Sequence, residues 1–387
     1  MVHTISAFIL AKLAWLLSWG TIKSAIGIAF ALGLVIFVHE LGHYLACVLL
    51  KIKVEEFAMG WGKVLKQWKR GDTIYSLRAI PVGGFLKPAG EFYAQEADIK
   101  DPREFAAQPW WKRVIMTAAG AGMNYVLAFI LFFLIVFTVG LPVSDPKAIP
   151  PVVGEIVEGY PAHNSGLRKG DLITAVNAVP VHNWEEMVNN IAASAGDVNL
   201  QYKRGGQIMT ASMPLAGDKK IGVALEPVYK KAGLFVSLGV AGHQCYYWTA
   251  LSIKTIAKKL WQRQAPEMAG PIGIFEIVGK GVHSGAEDYF FLIGLISVAI
   301  GMFNLFPIPV LDGGHILFFV IEAIRGKKIK EKTLGNASMA GACFLLLLVA
   351  YATYGDISRL AGKGKNKQAQ TASEQTAAPA ATETAND

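Results

Sequence analysis

The chain has 387 residues, of which 53% are apolar and 17% charged. Soluble proteins are nearer a quarter charged, so the surplus of apolar side chains exceeds what one core would bury. The formal charge of +8 comes with no Arg-rich or aromatic RNA-binding motif, and Cys47, Cys245 and Cys343 are far apart with no CxxC pair; no nucleic-acid partner is expected, and neither a thiolate zinc site nor a disulfide framework is indicated.

Taken in order, residues 1–50 open with a mainly apolar stretch, Ile5 to Trp19, interrupted by Lys12 and followed by no small-residue cleavage site. It is expected to be retained as an interfacial or partly inserted helix. A first membrane span follows from Ser24 to Leu50, long enough to cross a ~30 Å apolar layer. Residues 51–112 are polar and basic, with alternating stretches at Val54 to Phe57 and Thr73 to Ile80 that predict strands. They end in a helix from Asp101-Pro102 that carries Trp110 and Trp111, aromatics suited to a membrane interface. Residues 113–141 form the second span.

Residues 142–228 have the short strands, turn residues and single helical stretch, Trp184 to Ala193, of a soluble domain. Residues 229–285 are amphipathic, with Trp248, Lys254, Lys258, Lys259 and Trp261; they suit either a helix resting on the bilayer surface or one packed on the soluble domain. Residues 286–362 hold the third and fourth spans, Tyr289 to Phe306 and Ala337 to Tyr354. Residues 363–387, poor in large apolar side chains, are expected to be disordered. Basic residues crowd the 51–112 segment and the loop of Arg325, Lys327, Lys328, Lys330 and Lys332. Both segments therefore face the cytoplasm, which puts the soluble domain outside.

Chemistry concentrates at His39-Glu40-Leu41-Gly42-His43, an HExxH sequence inside the first span. Residues four apart share a helix face, so both imidazoles can reach one metal while Glu40 can take a proton from water beside it. Ionisable groups in an apolar layer are costly and need a reason. A catalytic zinc site uses three protein ligands and keeps one position open. The best third ligand is Asp312, in the stretch Asn304 to His315, where Pro307 and Pro309 break the third span. Its alternative role is a helix N-cap. His315 and Glu322 compete for the metal; His315 suits hydrogen bonding beside it, and Glu322 suits pairing with the basic loop.

These motifs resemble the site-2 protease family of intramembrane zinc metalloproteases, most closely its bacterial branch that regulates the sigma-E stress response. VHELGH at Val38 to His43, GGFLKPAGE at Gly83 to Glu91, GPIGI at Gly270 to Ile274 and NLFPIPVLDGGH at Asn304 to His315 carry the resemblance. It implies one Zn2+ per chain held by His39, His43 and Asp312, with Glu40 as general base and acid. It also implies substrate contacts at Asn124, in a motif with Ala121 where the family has proline, and at Asn304, Gly83, Gly84 and Phe85. Tyr75 to Phe85 is expected to offer an edge strand to an unwound substrate helix.

Ser165 to Ile173 with Val176-Asn177 is similar to a PDZ domain, whose last strand, Lys220 to Val223, would place Ile221, Gly222 and Val223 in a groove for a peptide terminus. The expected fold is a polytopic α-helical membrane protein of about four core transmembrane helices, with a cytoplasmic-side membrane-associated β segment and an inserted extracytoplasmic α+β PDZ domain. Its implied place is the bacterial inner membrane. Its implied partners are transmembrane protein substrates and the lipid bilayer. A peptide-recruiting scaffold or an ion-coupled carrier are the rival functions, and neither requires HExxH paired with an aspartate from a second, broken span.

Overall fold

The computed structural model describes residues 19–90, 99–215, 220–263 and 270–376. The helix expected over Ile5 to Trp19 lies almost wholly outside them. Eight α-helices are named here: α1 (Trp19–Leu50), α2 (Trp110–Thr138), α3 (Trp184–Ala193), α4 (Leu234–Trp261), α5 (Pro271–Ser284), α6 (Ala286–Asn304), α7 (Asp312–Arg325) and α8 (Glu331–Thr376). Four of them, α1, α2, α6 and the Lys332–Ala361 part of α8, are long and apolar enough to cross a membrane. These are the four spans the sequence predicts. The chain divides into two compact units, residues 1–133 with 239–387, and residues 134–238.

In the first unit, α1 is apolar all round, yet its buried residues, Ala31, Val35, His39, Gly42, His43, Ala46 and Cys47, follow the three-to-four spacing of one helical face. That face meets the bundle and carries both histidines. The helix stops because Lys51 takes a left-handed conformation, φ 60°, while Ile52 N–H bonds to the Cys47 carbonyl at 2.8 Å and Lys51 N–H to that of Val48. This pattern satisfies two of the carbonyls a helix end leaves open.

Two long strands follow, β1 (Val54–Arg70) and β2 (Thr73–Pro88), paired antiparallel with repeated register shifts. The shifts fold the ribbon back on itself. Phe57 lies opposite both Leu86 and Tyr75, and Tyr75 opposite both Phe57 and Trp68. Residues 56–59 and 74–77 are therefore flanked on two sides, and among the described residues the stretch Gly84 to Pro88 pairs with residues 54–59. This corrects the first part of the expected edge, Tyr75 to Phe85: Tyr75 to Leu77 are interior, whereas Gly84 and Phe85 lie in the outer stretch that pairs with 54–59. Sequence alternation marks strands but not which pairing a long ribbon adopts. The ribbon runs alongside α1. A Cβ on Gly33 would lie 2.7 Å from the Pro81 carbonyl oxygen, and Leu86 N–H reaches Glu40 Oε2 at 3.0 Å.

Helix α4 packs through Ala241, Cys245 and Trp248 on Ala128, Phe129 and Phe132 of α2 and Phe291 of α6. Tyr125 and Thr249 hydroxyls are 3.0 Å apart. The amphipathic segment therefore packs against two membrane spans, a contact that neither expectation named; its small and aromatic residues pack on other helices as readily as on lipid. Helix α5 is fixed at its first turn, where Gly273 N–H donates to the buried Asp356 carboxylate at 2.7 Å from α8. Asp356 also pairs with Arg359. Helix α8 continues to Thr376, past Lys363 where disorder is expected. The Ala, Lys, Gln and Glu of that tail lack apolar bulk but are strong helix formers.

The second unit has a four-stranded antiparallel sheet in the order β6 (Val179–Pro180), β5 (Leu172–Val176), β7 (Val198–Arg204), β8 (Gln207–Met213). Separate pairs join β3 (Leu141–Pro142) to β10 (Tyr229–Lys230) and β4 (Val153–Ile156) to β9 (Val223–Leu225). Helix α3 covers the core with Met187 and Ile191, packed with Ile173, Val198 and Leu200. Asn183 caps it by accepting from Glu186 N–H at 2.9 Å, and Glu186 accepts from His182 N–H in return. The strand expected over Lys220 to Val223 is shifted, since Gly222 has φ +78° and β9 starts at Val223.

Candidate metal centre

Two helices supply the three candidate ligands. His39 and His43 lie one turn apart on the buried face of α1, and Asp312 is the first residue of α7, after the break formed by Pro307 and Pro309. The residue before it, Leu311, occupies the N-cap, and no side chain caps the helix. Asp312 is thus turned to another use than capping. Its Oδ2 is 3.2 Å from His39 Nε2 and 3.5 Å from His43 Nε2, and the two Nε2 atoms are 3.2 Å apart.

The donor set fits zinc. For ligand bonds of about 2.0 to 2.1 Å in a tetrahedral shell, neighbouring ligand atoms are separated by ~3.3 to 3.4 Å. Asp312 Oδ2 is buried and has no hydrogen-bond partner among the described residues. Leaving such an oxygen unmet is expensive unless a cation satisfies it. Among the described residues, His39, His43 and Asp312 are the group of three that could hold a metal.

Neighbouring groups set the orientation of the imidazoles. His43 Nδ1–H donates to the Met116 carbonyl of α2 at 2.9 Å, which leaves the Nε2 lone pair facing the group. His39 Nδ1 lies 3.3 Å from Asn124 Nδ2, while the buried Asn124 Oδ1 has no partner among the described residues. With that oxygen turned to Nδ1–H, Nε2 of His39 also keeps its lone pair for a metal. Room for His43 comes from Gly120, where a Cβ would lie 2.3 Å from Nε2.

A cavity of about 620 Å³ opens on the group and is lined in part by His39, Glu40, His43, Asn304, Asp312 and His315. Gly84 approaches Glu40, with its Cβ position 3.8 Å from the Glu40 Cγ. Phe85 stacks instead near Trp61 and Arg78. His315 packs by Phe318 and Phe319 and lies outside the three-atom group. Glu322 pairs with Arg113 of α2 at 2.6 Å, and its second oxygen accepts from Ile329 N–H of the basic loop. Ile221, Gly222 and Val223 belong to the second unit. Sequence reasoning missed Met116, Gly120, Leu86 and Arg113. The first three act through backbone or through a missing side chain, which leaves no chemical signature.

The profile of peptidase family M50 matches residues 27–348, a stretch that contains both histidines, Glu40 and Asp312. The chain belongs to peptidase family M50. A relative from Clostridium acetobutylicum is 32% identical over 84% of this chain and 95% of its own. The zinc metalloprotease RasP of Geobacillus kaustophilus is 27% identical, covering 88% of this chain and 99% of its own. The regulator of sigma-W protease RasP of Bacillus subtilis is 24% identical with the same coverage. This M50 peptidase is a zinc metalloprotease, and its four apolar helices make it a polytopic membrane protein.

Proposed function

We propose that this M50 peptidase hydrolyses peptide bonds in transmembrane segments of other membrane proteins, using His39, His43 and Asp312 as ligands of one Zn2+ and Glu40 as the proton carrier. The observation that carries the reading is the convergence of three ligand atoms within 4.8 Å of one another, with Glu40 next in sequence to one of them. When bound, zinc supplies Lewis acidity, lowering the pKa of water and polarising a carbonyl. Glu40 takes a proton from the attacking water and gives it to the leaving amine nitrogen. Asn124 and Met116 hold the imidazoles in the required tautomer. Asn304 lines the cavity at the end of α6 and is assigned to substrate contact.

The edge from Gly84 to Pro88, carried alongside α1, supports a second part of the reading. A substrate helix must open before its peptide bond is accessible, and strand addition to this edge would satisfy the freed backbone groups. Gly83 and Gly84 keep the approach free of side chains, and Phe85 anchors the strand against Trp61.

Charge distribution favours an inner-membrane topology with residues 51–112 cytoplasmic and residues 142–228 outside. The latter segment is read as a PDZ domain that filters substrates, with Ile221, Gly222 and Val223 at its groove for a peptide terminus. Membrane-anchored regulators such as anti-sigma factors, and signal-peptide remnants, are the proposed substrate class. The sigma-W relative lends support.

The decisive experiment compares two variants on a model transmembrane substrate. Glu40→Gln should keep zinc while cleavage falls at least ~100-fold, the loss typical of a missing general base. Asp312→Ala should lose most zinc together with activity. Normal cleavage by Glu40→Gln would overturn the mechanism, and full zinc with normal cleavage in Asp312→Ala would overturn the ligand assignment.

A further inference from the structure

Arg113 and Glu322 are a buried ion pair that the proposed chemistry does not use. Arg113 Nη2 donates to Glu322 Oε2 at 2.6 Å, with side chains 10% and 7% exposed. Both carboxylate oxygens are engaged, since Oε1 accepts from Ile329 N–H at 3.0 Å. The guanidinium is not so well served. It lies 4.6 Å over the Phe319 ring, and its buried Nε–H has no acceptor among the described residues. Replacing a buried ion pair by apolar residues is often neutral or stabilising, so stability alone is a weak reason for one here.

Position suggests a better reason. Arg113 lies three residues, about one helical turn, before Met116, whose carbonyl holds His43. Arg113, Glu322 and Lys328 line the 620 Å³ cavity of the metal centre, and the same three residues line a second cavity bounded by Gln108, Trp110 and Gly326. The pair thus forms part of the wall of both. The second cavity adjoins the Trp110 end of α2 and the loop after α7.

Resting on the proteolytic reading above, the chemistry makes a demand on this wall. Hydrolysis of a peptide bond consumes one water and leaves a carboxylate on one fragment and an ammonium on the other. Neither charge existed before the reaction, and each is costly in an apolar layer without a counter-ion. We propose that Arg113 receives the new carboxylate of the N-terminal fragment and passes it from the site cavity to the second cavity. A carboxylate arriving side-on takes the unmet Nε–H together with an Nη–H in a bidentate pair, a geometry that lysine cannot reproduce. Glu322 holds the guanidinium in place between turnovers.

The test measures binding on the full-length, zinc-loaded protein in detergent. A labelled N-terminal product peptide is prepared as the free acid and as the C-terminal amide, and affinity is read by fluorescence anisotropy. The wild type should bind the acid at least tenfold more tightly than the amide. Arg113→Lys keeps a cation opposite Glu322 and should reduce that ratio several-fold with zinc content unchanged. The neutral pair Arg113→Gln/Glu322→Gln should reduce it at least tenfold. Zinc attracts the carboxylate equally in all three proteins, so the change in ratio isolates Arg113. A wild-type ratio near one overturns the proposal, as does an unchanged ratio in Arg113→Lys, the variant that keeps the ion pair if the double variant fails to fold. An unchanged ratio in enzyme that still cleaves defeats this proposal alone, whereas normal cleavage by Glu40→Gln defeats the proteolytic reading beneath it.

Discussion

Glu40 Oε2 accepts a hydrogen bond from the backbone N–H of Leu86 at 3.0 Å. The carboxylate assigned to proton transfer is therefore held by a backbone donor of β2. A hydrogen bond to a charged group contributes about 1.5 to 3 kcal/mol, equivalent to roughly a tenfold to a hundredfold effect. Leu86→Pro removes the donor, and proline is tolerated on an edge strand. Cleavage of a transmembrane substrate should fall at least about tenfold while zinc content, measured by atomic emission, stays at the wild-type level. Wild-type activity in the variant would show that the strand does not position the base.

Gly120 tests the packing of α2 against the metal centre. A Cβ there would lie 2.3 Å from His43 Nε2, closer than real contacts allow. Gly120→Ala should therefore displace the imidazole and weaken zinc binding by an amount comparable to loss of a ligand-orienting partner, about ten- to a hundredfold. Competition with a zinc chelator reads this directly. Gly122, with open space where its Cβ would be, serves as the control position, and Gly122→Ala should bind zinc normally.

A pH effect is expected in the second unit. Burial alone would push the Asp171 carboxyl up, but bonds from Arg204 and from the Arg168 N–H, with the charge of Arg204, hold it below the usual carboxylate range. A group with a depressed folded pKa contributes stability that is fully present above its unfolded value of about 3.9 and lost as pH falls through the folded value. Limited proteolysis of residues 134–238 in the full chain should accelerate below about pH 4. Asp171→Asn should cleave faster at neutral pH and respond less to acid. Equal rates for both proteins at pH 7 would remove the pair from the stability of this unit.

Membrane sidedness can be read by labelling. A cysteine at Asp197 should react with a thiol reagent that cannot cross the membrane when added from outside, and a cysteine at Lys328 should not. The reverse pattern would invert the topology.

Much of the site was legible in sequence because its chemistry is local. His39, Glu40 and His43 share one helical face by spacing alone, and Asp312 stands out as a carboxylate after two prolines in an apolar run. The expected edge, Tyr75 to Phe85, overlaps the outer stretch only at Gly84 and Phe85, because alternation over Thr73 to Ile80 marks a strand and only the folded ribbon puts Tyr75 to Leu77 in its interior. Arg113 was invisible for a different reason. One basic residue beside Lys112 carries no sequence signal of its partner, and only the fold brings it to Glu322, 209 residues away. Helix α4 was ambiguous because an amphipathic pattern records a two-faced helix without naming what each face meets.

The edge from Gly84 to Pro88 also limits which bonds a substrate can present. Side chains alternate across an extended strand, so a chain laid along this edge that slips by one residue turns every side chain to the opposite face. A slip of two restores the facing pattern. If substrates add here as proposed, secondary cleavage positions in a single transmembrane segment should fall an even number of residues from the main one, a parity that mass spectrometry of the fragments would record.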